Sequence, residues 1–224
     1  MSANEQMAEE EFLAELAGLS SALVADCLDQ AGLPSRVMSP HIRPLAPGFR
    51  AAGLATTIHV VEVDAKPANA ADYYKSELAA VNGVRPGDLL VVSHARKAGF
   101  WGELLATAAA RRGAVGLVGD CLARDSQGLV EMGFPSFVAG LNPLDSLGRL
   151  DVDTLGVDVE CGGVTVRQGD LVVADADGIV VVPAEAITLI MAAAKAKSEQ
   201  EDAMRRDLES GMGIVDAYRK HEIL

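Results

Sequence analysis

The sequence predicts a mixed α/β fold of packed layers, and three observations carry that prediction. Helix-like and strand-like periods alternate through the early part of the chain. From Gly156 to Pro183 strand-like segments cluster instead, rich in Val, Gly and Asp and joined by tight turns. Half of the residues are hydrophobic but only 4% are aromatic, a blend of Ala, Val, Leu and Gly that suits close-packed helices on buried strands. Early alternation followed by late clustering favours a layered α/β arrangement over a regular doubly wound sheet. At 224 residues the chain suits a single domain over 1–224. Within it, 1–18 reads as an N-terminal tail and helix, and 184–224 as a C-terminal helical extension.

In order, Phe12, Leu13, Leu16 and Leu19 predict a short amphipathic helix. Ser20 and Ser21 cap a second helix, Ala22 to Ala31, which Gly32 stops. Four prolines between Gly32 and Gly53 mark a looping connection. Ala55 to Val63 is β-branched and reads as a strand, Ala70 to Val81 as a helix ended by Asn82-Gly83. Arg85-Pro86-Gly87-Asp88 is a turn into a strand over Leu89 to Ser93. Ser93 to Gly99 reads as a polar loop, Trp101 to Arg112 as a helix and Ala114 to Gly119 as an apolar strand. A short helix over Asp125 to Met132 and a strand over Pro135 to Ala139 follow. Beyond the late strands, Ala184 to Leu208 reads as a long helix and Ile214 to Arg219 as final helical turns. Gly87-Asp88-Leu89 and Gly169-Asp170-Leu171 read as two similar turns feeding two strands rather than as an internal repeat.

Nineteen basic against 32 acidic residues leave a formal charge of −13. That balance repels nucleic-acid phosphates and anionic lipid, so neither is expected as a partner. An anionic substrate would need a local cationic site. Three scattered cysteines, with no Cys-x-x-Cys, fit reduced thiols rather than a disulfide framework. Met1 to Glu10 is polar and acidic, the wrong chemistry for a signal peptide, and no apolar run approaches the roughly 20 residues needed to span a bilayer. A soluble, cytoplasmic protein is the expectation.

No P-loop, nucleophile elbow or His-Glu-x-x-His occurs. His41, His59, His94 and His221 share no metal-ligand spacing, and His94 reads better as a solvated loop residue than as a base or a phosphorylated carrier. The informative stretch is Gly99 to Asp125. At the start of a helix, the free N–H groups of Gly102, Glu103, Leu104 and Leu105 suit a carboxylate, while Glu103 also simply complements the helix dipole. The helix rises roughly 16 Å and the returning strand covers roughly 20 Å, so Glu103 and Asp125 can share one edge of the fold. Asp125 alone could be a helix N-cap, and Arg124 a surface cation. Together with Glu103 they form a hard oxygen site suited to Mg²⁺ or Mn²⁺, beside a planar guanidinium fork. Such a site would bind a 2-oxo acid and stabilise the enolate left when a neighbouring C–C bond breaks.

Trp101-Gly102-Glu103-Leu104-Leu105, Arg112-Gly113, Gly116, Asp120, Arg124-Asp125 and Gly133-Phe134-Pro135 together resemble the RraA-like family. Cys161-Gly162-Gly163-Val164, Gly169-Asp170-Leu171-Val172 and Asp175 to Pro183 look like its second block. The resemblance runs from about Leu19 to the C-terminus. It implies a β/β/α swivelling-domain layered fold and a trimeric or hexameric ring. It also implies the activity of the class II 4-hydroxy-4-methyl-2-oxoglutarate/4-carboxy-4-hydroxy-2-oxoadipate aldolases, metal-dependent pyruvate aldolases of aromatic-acid breakdown that also decarboxylate oxaloacetate. Carried onto these residues, Asp125 would ligate the metal, with Glu103 reaching it through water. Arg124 would stabilise the pyruvate enolate, and the N–H groups of Gly102 to Leu105 would hold the pyruvate carboxylate. Glu201, with Glu199 in reserve, would enter a neighbouring subunit's site.

Cys121 departs from the glycine common in the family after Asp120. No histidine is placed to activate it, so packing is the better reading. Arg96 and Lys97 stand open as binders of a distal substrate carboxylate or as surface charge. The family also includes regulators that bind an RNA-degrading endonuclease, a function with no need for Glu103, Arg124, Asp125 and Glu201 together. No glycine-rich S-adenosylmethionine loop supports methyl transfer.

Overall fold

The computed structural model describes residues 15, 16 and 18–223. Phe12 and Leu13 of the expected first helix, and the acidic stretch Met1 to Glu10, lie outside the described residues. Leu16 and Leu19 are buried against the helix that follows. That helix, α1 (Ser21–Gln30), starts where the sequence says: Ser20 is its N-cap, and the Ser20 hydroxyl accepts from the Leu23 N–H.

An eight-stranded sheet carries the fold, in the order β1 (Arg43–Pro44), β5 (Ser136–Leu141), β4 (Gly116–Ala123), β3 (Asp88–Trp101), β2 (Ala51–Glu62), β9 (Leu171–Ala174), β10 (Ile179–Val182), with β6 (Leu150–Leu155) also paired to β2. Strands β2, β3, β4 and β5 run parallel. The remaining partners, β1, β6, β9 and β10, are antiparallel. Three helices cover one face: α2 (Lys75–Asn82), α3 (Glu103–Arg111) and α4 (Ser126–Glu131). Their Ala80, Val81, Ala106, Ala109 and Leu129 pack with Leu90, Val92 and Leu117 of the sheet. On the other face lies a small hairpin, β7 (Val159–Cys161) and β8 (Val164–Val166). Its buried side chains meet Leu89, Val91, Val118 and Phe137. The layers are therefore hairpin, sheet and helices, the β/β/α order that the resemblance implies. Helices also flank both ends, with α1 and the long α5 (Ile187–Glu209) packed on β9 and β10. The last helix, α6 (Ile214–His221), folds back on α5 through Met204 and Ala217.

The two Gly-Asp-Leu segments are indeed like turns. Asp88 accepts from the Arg85 N–H at 2.8 Å, and Asp170 from the Arg167 N–H at 2.9 Å. Gly87 and Gly169 sit at φ +83° and +87°, a region glycine enters without a Cβ penalty.

Two expectations need correction, and one strand had no expectation at all. Ser93 to Gly99 is not a loop, because β3 runs on to Trp101 with irregular register against β4. His94 and Arg96 face water while Ser93, Ala95 and Ala98 are buried, so alternation rather than polarity was the signal. Leu150 to Leu155, passed over in the sequence, is a strand with Leu150 and Val152 inward. The helix expected over Ala70 to Val81 divides into a 3₁₀ turn, Ala70–Asp72, and α2, separated by Tyr74 at φ +57°.

Candidate active site

The parallel pairing of β3 and β4 builds the site. Trp101, the last residue of β3, lies opposite Ala123, the last of β4. Gly102 and Arg124 therefore leave neighbouring strands side by side, and the Arg124 N–H donates to the Trp101 carbonyl at 2.7 Å. Gly102 is the N-cap of α3. A Cβ on Gly102 would stand 3.0 Å from Asp125 Oδ2 and 3.1 Å from Arg124 Cγ, so any side chain here would press on both and shift them. Helix geometry leaves the N–H groups of Glu103, Leu104 and Leu105 without intrahelical partners at this edge.

Asp125 takes the N-cap position of α4 but makes no side-chain cap bond. Its backbone is left-handed, at φ +53°, and its side chain is half-exposed. Asp125 and Tyr74 are two non-glycine residues at positive φ, and both line one cleft. Backbone strain of this kind gathers at functional sites.

That cleft has a volume of about 300 Å³ and is lined by Gly102, Leu104, Leu105, Arg124 and Asp125, together with Tyr74, Glu77, Asp145 and Ser146. Asp145 orients Arg124: its Oδ2 accepts from the Arg124 guanidinium at 3.0 Å and from the Tyr74 hydroxyl at 3.0 Å. Burial alone would raise the Asp145 carboxyl. The Leu147 N–H, the Tyr74 hydroxyl and Arg124 outweigh burial and hold it below the usual carboxylate range. Glu77 goes the other way. It is 5% exposed, and burial pushes its carboxyl up to about 7; the Ser146 hydrogen bond opposes this, while Asp145 and Asp151 reinforce it.

A larger cavity of about 590 Å³ lies between the Gly18–Leu23 region and α5. Its lining is mostly apolar and brings no convergent catalytic groups, so the smaller cleft is the better candidate.

Not every expected residue is in the cleft. The Glu103 carboxylate lies against Gly128 in the first turn of α4, where a Cβ on Gly128 would overlap it, rather than in the cleft wall. Glu201 sits on α5, 3.5 Å from Lys197, which also pairs with Asp26. It does not line the Arg124–Asp125 cleft of its own chain. Arg96 pairs with the buried Asp120 and hydrogen-bonds His41, and Lys97 pairs with the exposed Asp64 and Glu62, so both cations are engaged within the chain. Cys121 is fully buried, and its thiol is pushed far up by burial, as packing requires. Sequence reasoning missed Tyr74, Glu77, Asp145 and Ser146. A turn signal was present at Asn142-Pro143: the Asn142 side chain accepts from the Leu144 N–H, and the Asp145 side chain from the Leu147 N–H.

Among the described residues, no three His, Cys, Asp or Glu side chains form a ready-made metal cage. The residues do fit a different site. A half-exposed Asp125 carboxylate in a cleft that glycine keeps open suits a hydrated hard cation held by one carboxylate and its ligand.

The family model described as Aldolase/RraA, RraA-like, matches residues 21–181. The chain belongs to the RraA-like family. A Halalkalibacterium halodurans protein provisionally named 4-hydroxy-4-methyl-2-oxoglutarate aldolase is 27% identical over 213 residues, covering 94% of this RraA-like chain and 95% of that one. Streptomyces coelicolor RraAS2, described as an unusual member of the RNase ES inhibitor RraA protein family, is 31% identical with a TM-score of 0.75, covering 87% and 96% of the two chains. An uncharacterised protein of Pseudomonas syringae pv. tomato is 26% identical with a TM-score of 0.79, covering 93% and 96%. These three matches cover 87% to 94% of the chain. No helix among the described residues is long and apolar enough to cross a membrane.

Proposed function

We propose that the protein is a divalent-metal-dependent pyruvate aldolase. It would cleave a 4-hydroxy-2-oxo diacid, of the 4-hydroxy-4-methyl-2-oxoglutarate or 4-carboxy-4-hydroxy-2-oxoadipate type, to pyruvate and a second 2-oxo acid. Oxaloacetate decarboxylation would be its side activity. One observation carries the reading: Arg124, Asp125 and the open first turn of α3 converge on one cleft. The provisional aldolase name of the Halalkalibacterium halodurans relative supports it.

In this reading Asp125 would hold Mg²⁺ or Mn²⁺, and Glu103, whose carboxylate lies beside Gly128 outside the cleft wall, would reach the ion only through water. The ion, when bound, supplies Lewis acidity to the keto oxygen of the substrate. The free N–H groups at Gly102 to Leu105 receive the substrate carboxylate, where the helix dipole also favours an anion. Arg124, held by Asp145, presents its fork to the oxygen on which charge develops as the C–C bond breaks. Leu105, partly buried, walls the cleft and limits water beside the forming enolate. Glu201 completes the site of a neighbouring subunit in a trimer or hexamer.

A second reading, a regulator of ribonuclease activity without catalysis, draws on the RraA name of the Streptomyces coelicolor relative. A pyruvate-release assay on oxaloacetate and on 4-hydroxy-2-oxo diacids, with an endonuclease-inhibition assay in parallel, separates the two. Metal-dependent pyruvate release supports the aldolase. Inhibition of an RNase E-type nuclease, with no turnover of any of these acids, overturns it.

A further inference from the structure

Glu77 lines the same cleft as Arg124 and Asp125, yet it is 5% exposed and has no cation paired with it among the described residues. An unpaired carboxyl taken out of water is stable only if it keeps its proton. The groups around it agree. Asp145, in the loop before β6, and Asp151, on β6, both raise it, and the Ser146 hydrogen bond is the opposing influence. Of the nearby cations, Arg124 pairs with Asp145 and Lys75 with Asp72, while Lys66, which shares a second cavity with Glu77, makes no ion pair with it. Tyr74, at the head of α2, donates to Asp145 and not to Glu77. Two carboxyls of one cleft are thus driven apart, Asp145 downward and Glu77 upward to about 7. That separation is how a site assigns an electrostatic role to one acid and proton transfer to the other. Glu77 also lines a second cavity, of about 220 Å³, shared with Lys66 and Asp151. Glu77 therefore contributes to the walls of both cavities.

We propose that Glu77 is the general acid–base of the cleft, protonating the enolate carbon after C–C cleavage and taking a proton from the methyl group of pyruvate in the reverse direction. The assignment rests on the pyruvate-enolate chemistry proposed above. As the scissile C–C bond breaks, its electron pair becomes the C=C bond of the enolate, and the other fragment leaves as a 2-oxo acid or, from oxaloacetate, as CO₂. The Glu77 O–H bond then breaks, its proton forms the new C–H bond, and the enolate returns to the ketone. Glu77 is left ionised and regains a proton from water through the second cavity. In the aldol reaction that proton balances the one lost from the substrate hydroxyl; in decarboxylation it comes from the solvent.

The test is exchange of the pyruvate methyl protons in D₂O, followed by NMR on the Mg²⁺-loaded protein. Exchange needs the ionised Glu77, so the wild-type rate should rise with pH through about 7. Glu77→Gln should lower the rate at least about tenfold at pH 8, lose that pH limb and leave pyruvate affinity within about threefold. An infrared band of a protonated carboxyl, lost with the same midpoint and missing in Glu77→Gln, provides a readout independent of turnover. If wild type exchanges but Glu77→Gln exchanges equally fast, Glu77 is not the acid–base, and the pyruvate chemistry stands. If wild type neither exchanges nor releases pyruvate from any of these acids, both fall together. A wild-type exchange rate flat from pH 5 to pH 9 overturns the proposal even if Glu77→Gln fails to fold.

Discussion

Replacing Glu77 by Gln should make the protein more stable at pH 8 and leave it nearly unchanged at pH 5. The carboxyl is buried in the first turn of α2 and raised from its ordinary 4.5 to about 7. At 1.36 kcal/mol per pH unit, the difference corresponds to ~3 kcal/mol. The sign follows from which state holds the proton. The folded protein binds it more tightly than the unfolded chain, so folding gains most from Glu77 below about pH 4.5, where both states are protonated and no charge is buried. That stability drains away as pH rises through about 7, when the folded state must either keep a buried anion or open. Gln keeps the size and the hydrogen-bonding reach toward Ser146 but cannot ionise. Urea unfolding of both proteins at pH 5 and pH 8 isolates the effect, because other titrating groups cancel in the difference. The expected gap is small at pH 5 and ~2–3 kcal/mol in favour of Gln at pH 8, the upper end being reached only if no water enters. An equal gap at the two pH values would refute the buried, unpaired carboxyl.

Other outcomes follow from the cleft itself. Arg124→Lys keeps the charge but loses the fork held by Asp145, so kcat for oxaloacetate decarboxylation should fall at least about tenfold, or ~1.4 kcal/mol; steady-state kinetics with an unchanged kcat would remove Arg124 from the chemistry. Gly102→Ala places a Cβ against Asp125 and Arg124, so kcat should drop about tenfold or more while unfolding free energy changes by less than ~1 kcal/mol. Asp125→Asn and Glu201→Gln, each inactive alone, should partly regain turnover when dissociated, mixed and reassembled, because some interfaces then pair an intact Asp125 with an intact Glu201. No recovery after verified mixing would argue against a shared site.

The part of the site legible in the sequence was the part built by one β–α–β connection. Arg124 and Asp125 follow β4, and Gly102 opens the helix after β3, so a parallel ladder brings them together whatever the outlying elements do. Length arithmetic anticipated the neighbourhood, but the register of Trp101 against Ala123 is what enforces it. The opposite wall was hidden for two physical reasons. Glu77 lies in a segment that reads as one helix, because nothing in its alanines announces the left-handed break at Tyr74. Asp145 and Ser146 come from a loop with no period to read, and only the final packing shows what they face. Glu103 shows the limit of reasoning along one edge: sharing an edge did not bring its carboxylate into the cleft, since Gly128 offers it a space beside α4. In the sheet, β6 went unread, although Leu150 and Val152 alternate with Asp151 and Asp153 toward the core.

If Asp125 holds a metal that makes this cleft a pyruvate-enolate site, as proposed, turnover must depend on that ion and on that carboxylate. The most direct measurement is pyruvate release from oxaloacetate by protein stripped of metal, with loss verified by elemental analysis, and then titrated with Mg²⁺ or Mn²⁺. Release should fall to the uncatalysed rate on stripping, return with either ion in wild type, and fail to return in a folded Asp125→Asn variant. Undiminished release from verified metal-free protein, or full restoration in Asp125→Asn, would contradict it.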